Sequence, residues 1–178
     1  PEMVRRGRVV EHRFEGYWRD VGTIESYWLA HRDLLAAEPA IRLDDPAWPI
    51  LSYGVQRRPA WIAGSARIDG SLISPGCQVR GEVVRSIIAP GATIGVGAVV
   101  RDTILLHDAR VESGARVDAA ILDERVRVGS GARVGQPLAG RDRESDGGGQ
   151  LRIMVAGCGA VIPDGATVEA GALITPPG

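Results

Sequence analysis

The sequence predicts a mainly β fold, a solenoid of short parallel strands wound in triangular coils, and three observations carry that prediction. Aliphatic residues recur as Ile88, Ile94, Val100, then Leu105, Val111, Val117, then Leu122, Val128, Val134, so steps of six, six and five repeat as a seventeen-residue unit. Gly91, Gly97, Gly114 and Gly131 each fall three places after an aliphatic position. After an interruption the steps of six resume at Ala156, Ile162, Val168 and Ile174, with Gly159, Gly165 and Gly171 at the turn position. A helix needs apolar spacing near 3.6 and a half-buried strand needs alternation of 2; neither explains a step of six.

Each step is read as a brief strand with one inward aliphatic, followed by a turn in which glycine reaches positive φ without a Cβ penalty. Three steps close a coil, and stacking places Ile88 over Leu105 over Leu122. Each aliphatic covered in this way contributes about 1.5–3 kcal/mol. A single coil cannot cover its own core. The pattern resembles the hexapeptide-repeat family, and that resemblance implies the left-handed parallel β-helix; the period alone sets no hand.

Composition narrows the field. The net charge of −1 gives no sign of a nucleic-acid partner or an anionic membrane. All 21 basic side chains are arginine, which reads as genome bias rather than selection for anion binding. Cys77 and Cys158 have neither CxxC nor Cys/His spacing, so a zinc site or disulfide framework is not expected, and both are placed at small core or turn positions. No apolar run approaches the length of a membrane span and no secretory leader opens the chain, so a soluble, cytoplasmic protein is expected. The chain begins at Pro1 in sequence that already reads like the middle of a domain, and a fragment of a longer protein is expected.

Residues 1–37 are read as a strand, a loop and a helix. Arg8 to Phe14 has strand character after Gly7, and His12 within it is a lone surface histidine. Thr23 is the expected N-cap of a helix reaching about Ala37, with Ile24, Tyr27, Trp28 and Leu35 on one face. Asp20 then falls on a tight loop at the helix N-terminus. Such an aspartate either bonds loop amides or carries chemistry, and pattern alone leaves both open.

Tyr17 to Leu35, YWRDVGTIESYWLAHRDLL, closely resembles the segment that ends the catalytic domain of ADP-glucose pyrophosphorylases, the glucose-1-phosphate adenylyltransferases. Trp-x-Asp-x-Gly-Thr is shared by sugar-phosphate nucleotidyltransferases generally; the longer motif points to the glycogen-pathway branch. Trp48-Pro49-Ile50, Arg58-Pro59-Ala60-Trp61 and Asp123 in Ala120-Ile121-Leu122-Asp123 agree, and the likeness covers roughly residues 8–136. The resemblance implies that Asp20 is one of two carboxylates holding a catalytic Mg2+ in the full-length enzyme. It places Trp18 on the sugar-nucleotide side of the site, with core packing as the other reading of that side chain. A hard divalent cation suits carboxylate oxygen and neutralises charge as glucose-1-phosphate attacks the α-phosphorus of ATP and pyrophosphate leaves. The glycine-rich phosphate loop, the second metal aspartate and the phosphate-gripping basic residues of that family are absent from this sequence. Asp20 alone cannot assemble an active site.

Residues 38–60, with Pro39, Pro46, Pro49 and Pro59, are read as an extended linker pinned by Trp48 and Trp61. Arg57 and Arg58 are candidate ligands for a phosphorylated allosteric effector, as the family implies, or a solvated pair of charges. Residues 61–178 form the β-helix. The fifteen-residue step from Ile73 to Ile88 shortens one coil, Asp108 and Arg125 replace glycine at turn positions, and a charged, glycine-rich loop is expected at about residues 136–151.

The leading expectation is the C-terminal assembly and regulatory part of a glucose-1-phosphate adenylyltransferase, inactive alone. It would form a homo-oligomer through the β-helix, with ATP and glucose-1-phosphate bound by the missing catalytic domain. A stand-alone β-helix module that partners a separate nucleotidyltransferase chain is the alternative. A hexapeptide acyltransferase using His107, the only histidine in the repeats, ranks third.

Overall fold

The computed structural model describes residues 2–51, 54, 56–138 and 151–176. Its first coil holds β1 (Trp61–Ile62), β2 (Arg67–Asp69) and β3 (Leu72–Ile73), and its second β4 (Gln78–Val79), β5 (Glu82–Val84) and β6 (Ile87–Ile88). The third holds β7 (Thr93–Ile94), β8 (Val99–Arg101) and β9 (Ile104–Leu105), and the fourth β10 (Arg110–Val111), β11 (Arg116–Asp118) and β12 (Ala120–Leu122). The fifth holds β13 (Arg127–Val128), β14 (Arg133–Gly135) and β15 (Met154–Ala156), and the sixth β16 (Val161–Ile162), β17 (Thr167–Val168) and β18 (Leu173–Ile174). Every third strand pairs in parallel, which gives three six-stranded sheets running the length of the solenoid.

The register is the one the aliphatic steps predict: Val111 lies beside Val128, Val117 beside Val134, and Leu122 beside Leu105. The inward aliphatics form one continuous core with the small turn residues Ala92, Ala98, Ala109, Ala115 and Ala132 filling its corners. The shortened coil is resolved at its corner. Only Arg80 and Gly81 separate β4 from β5, and a Cβ on Gly81 would lie 2.3 Å from the Ala98 carbonyl oxygen, so the tight corner requires glycine. Asp108 and Arg125 stand at φ 58° and 57°, the left-handed turn conformation that glycine supplies elsewhere.

The third sheet differs from its neighbours. In β6, β9 and β12 both faces are aliphatic: Ile88, Leu105 and Leu122 point inward, while Ile87, Ile104 and Ile121 form a ladder on the outer face. A helix covers the middle of that ladder. Helix α2 (Ile24–Asp33), the second after a short α1 (Glu2–Arg5), buries Trp28 completely in a second cluster with Ile104, Ala119, Ile121, Leu138 and Ile153.

The strand, the helix end and the linker depart from expectation. Residues 8–14 are exposed and form no strand, because a strand needs a neighbour for its backbone bonds and no described segment pairs with them. Helix α2 ends at Asp33, not Ala37; Leu34 caps it, and turns and bends follow. The linker carries turns near residues 43–47 rather than running extended throughout, and Trp48, 82% exposed, pins nothing. The loop expected at about 136–151 falls mostly on residues 139–150, outside the described residues, but its flanks Leu138 and Leu151 pack in the helix seam. Beyond it, β12 pairs with β15, so the repeat resumes in register.

Truncating the core predicts a cavity: Leu105→Ala should cost about 2–5 kcal/mol by urea denaturation. Turn glycines should divide by what lies over them. Gly114→Ala meets nothing and bears only left-handed strain of about 1–2 kcal/mol. Gly91→Ala would also meet Arg57 Nη1 and Asp108 Oδ1, so its urea midpoint should be the lower of the two.

Candidate functional site

The loop Tyr17–Thr23 lies against α2 and is bound to both of its ends. At the N-terminal end Thr23 and Ser26 form a reciprocal capping box: the Ser26 amide donates to Thr23 Oγ1 at 3.1 Å and the Thr23 amide donates to Ser26 Oγ at 3.0 Å. At the C-terminal end Asp33 Oδ2 accepts from Tyr17 Oη at 2.5 Å and from Arg19 Nε at 2.8 Å. The hydrogen bond to Asp33 pushes the Tyr17 phenol above its ordinary value, with burial adding to it. The segment is thus closed into a short arch over the helix.

Asp20 stands on the crest of that arch. Its carboxylate is exposed, and among the described residues no hydrogen bond or ion pair engages it. The reading in which it ties up loop amides is not what the geometry shows. Trp18 beside it is 82% exposed, so the indole is not part of this chain's core, and Val21 and Phe14 are also exposed. Magnesium is commonly held by one or two carboxylates together with water and substrate phosphates, and a free aspartate fits one such ligand. Among the described residues no group of three or more His, Cys, Asp or Glu could hold a metal.

The arginine pair separates in role. Arg57 forms a two-pronged ion pair with Asp108, Nη1 to Oδ1 at 2.7 Å and Nη2 to Oδ2 at 2.9 Å, its side chain passing over Gly76 and Gly91. The Arg57 guanidinium holds the Asp108 carboxyl below the usual carboxylate range. Arg58 is exposed and lines a cleft of about 470 Å³ with Pro59, Ala60, Trp61, Gln78 and Arg80, whose guanidinium stacks 5.5 Å from the Trp61 ring centre. His107 lies 3.8 Å from Glu124 at an exposed turn. Among the described residues no helix is long and apolar enough to cross a membrane.

A joint missed in the sequence fastens the arch to the solenoid. Trp28 Nε1 donates to the Asp102 carbonyl oxygen at 2.8 Å. Asp102 takes φ 48° at a tight corner, and its carboxylate is held by Arg85, Nε at 2.8 Å and Nη2 at 2.6 Å. Nearby Asp118 is 7% exposed, and its Oδ1 has no hydrogen-bond partner among the described residues. Burial pushes its carboxyl above the ordinary range; Asp102 adds to this and Arg101 opposes it. The available signal was the paired aliphatics Ile87-Ile88, Ile104-Leu105 and Ile121-Leu122, which demand a cover on the outer face.

The class these features define is a parallel β-helix of hexapeptide repeats carrying a docked helix and a loop with one free carboxylate. A family model described as GlmU-like, C-terminal hexapeptide matches residues 62–147. The relatives are more particular: the chain is similar to proteins named glucose-1-phosphate adenylyltransferase. It is 44% identical over 112 residues to that of Desulforamulus reducens, covering 62% of this chain and 28% of the relative. It is 45% identical over 103 residues to that of Thermotoga neapolitana, 57% of this chain and 24% of the relative, and 38% identical over 112 residues to that of Bacillus cereus strain Q1, 62% and 30%. The chain spans less than a third of the length of these curated relatives.

Asp118 gives a pH prediction. An acid whose pKa is raised by folding binds its proton more tightly in the folded state, so it destabilises the fold at neutral pH, and that penalty fades as pH falls toward the unfolded value near 4. Asp118→Asn should therefore stabilise the protein by roughly 1 kcal/mol at pH 7, with the advantage over the parent shrinking as pH falls toward 4 in paired thermal melts.

Proposed function

We propose that the chain is the C-terminal assembly and regulatory part of a glucose-1-phosphate adenylyltransferase, which makes ADP-glucose and pyrophosphate from ATP and glucose-1-phosphate, and that it is inactive alone. The observation that carries this reading is the arch. It presents a free carboxylate, Asp20, from a motif resembling that family's metal-binding segment, on a helix joined to the β-helix.

In the complete enzyme Asp20 is one of the carboxylates that hold Mg2+, and the metal, when bound, neutralises charge on the reacting phosphates. Trp18 offers an indole face to the hexose from the same arch. The groups that grip the triphosphate belong to the nucleotidyltransferase half that this sequence lacks. Arg58, beside Arg80 and Trp61, is the better of the two arginines for a phosphorylated effector, since Arg57 is already paired with Asp108. The solenoid supports homo-oligomer contacts through its uncovered apolar positions, Leu72 and Leu173 at the two ends of the third sheet's outer ladder. The protein works in the cytoplasm, where its substrates are.

Pyrophosphate release from ATP and glucose-1-phosphate should stay at the blank level for this chain with or without Mg2+; release well above blank would overturn the claim of inactivity. In the protein that also carries the nucleotidyltransferase half, Asp20→Asn should lower kcat at least about 100-fold with the oligomer intact. An Asp20→Asn enzyme of near-normal kcat would remove Asp20 from the metal site.

A further inference from the structure

Tyr17 and Arg19 reach the last residue of α2 through Asp33, and Thr23 with Ser26 closes the first turn, so the arch cannot shift along the helix without breaking a charge-assisted or capping bond. The helix is fixed to the solenoid with similar firmness. Trp28 is fully buried and bonded to the Asp102 carbonyl, and the Arg32 guanidinium covers its ring at 4.8 Å from the centre. His31, Arg32 and Leu35 line the same seam as Arg85, Ile87 and Thr103. The carbonyl that receives the indole belongs to a corner residue held in a left-handed turn by its own ion pair with Arg85.

We propose that Trp28 and Asp33 are positioning residues for Asp20: Asp33 clamps the arch to the helix, Trp28 clamps the helix to the Asp102 corner, and the two together fix the Asp20 carboxylate relative to the β-helix. The proposal rests on the reading of Asp20 as a metal ligand. It adds the route by which the solenoid governs that ligand. A displacement of the Asp102 corner moves the indole with it, and a rigid ten-residue helix carries the motion to the arch. Asp33 touches neither metal nor substrate in this scheme; it acts only through Tyr17 and Arg19.

Backbone dynamics and hydrogen exchange on the 178-residue chain test the clamps without any activity. In Asp33→Ala the backbone order parameters of residues 17–22 should fall from about 0.85 to below about 0.6 while β5 to β14 keep the parent's values. In Trp28→Phe, which keeps an aromatic ring in the seam but loses the indole donor, the hydrogen-bonded amides of α2 should exchange about threefold faster or more. Unchanged order parameters of residues 17–22 in Asp33→Ala, together with unchanged α2 exchange in Trp28→Phe, would overturn the clamps. The second readout is the Mg2+ half-saturation of the protein that includes the nucleotidyltransferase half. Both variants should raise it about threefold or more at unchanged oligomeric state. If the arch loosens but the Mg2+ half-saturation stays at the parent value, the positioning role is overturned. If Asp20→Asn also leaves the Mg2+ dependence unchanged, the failure lies in the reading of Asp20 and not in the clamps.

Discussion

The structure depends on one sheet whose strands are apolar on both faces. Where β9 and β12 run, Leu105 and Leu122 face the interior of the solenoid while Ile104 and Ile121 face outward, and both sets are buried. The inward set holds the coils together, each covering the next. The outward set cannot stay in water at about 25 cal/mol per Å² of apolar surface, and the Trp28 side of α2 covers it. The other two sheets place Arg110, Arg116 and Arg127 at the corresponding outer positions, so the helix has one face on which to dock. The placement of the Asp20 arch follows from that asymmetry.

The seam also collects polar groups that solvent would otherwise satisfy. Asp102 lies at its rim, with its carbonyl given to Trp28 and its carboxylate to Arg85, so both its buried functions have partners. Asp118, one coil on, lacks that provision at Oδ1 among the described residues, and its raised pKa records the cost.

Much of the solenoid was legible because its constraint is local and periodic. A step of six with glycine three places on states both where a side chain points and where the chain turns, and the strands follow it from β1 to β18. The helix start was equally local, written in Thr23, while Ser26 completes the capping box at a position where Glu or Gln is the usual signature. What failed was non-local. Residues 8–14 have strand character but no strand beside them here, and propensity without a neighbour leaves irregular backbone. Arg57 looked like a free charge because Asp108 stands 51 residues away and meets it only through the coil geometry. The Trp28 joint, spanning 74 residues, had no pairwise signal, yet the doubled aliphatics on the third sheet announced that something apolar had to cover them.

Helix α2 and the outer face of the third sheet form one energetic unit. A double-mutant cycle between Trp28→Phe and Ile121→Val, read by urea denaturation, measures their coupling. Residues in contact across the seam should show a coupling of about 0.5–3 kcal/mol. Additivity within about 0.3 kcal/mol would mean that the helix and the solenoid are independent units and not one.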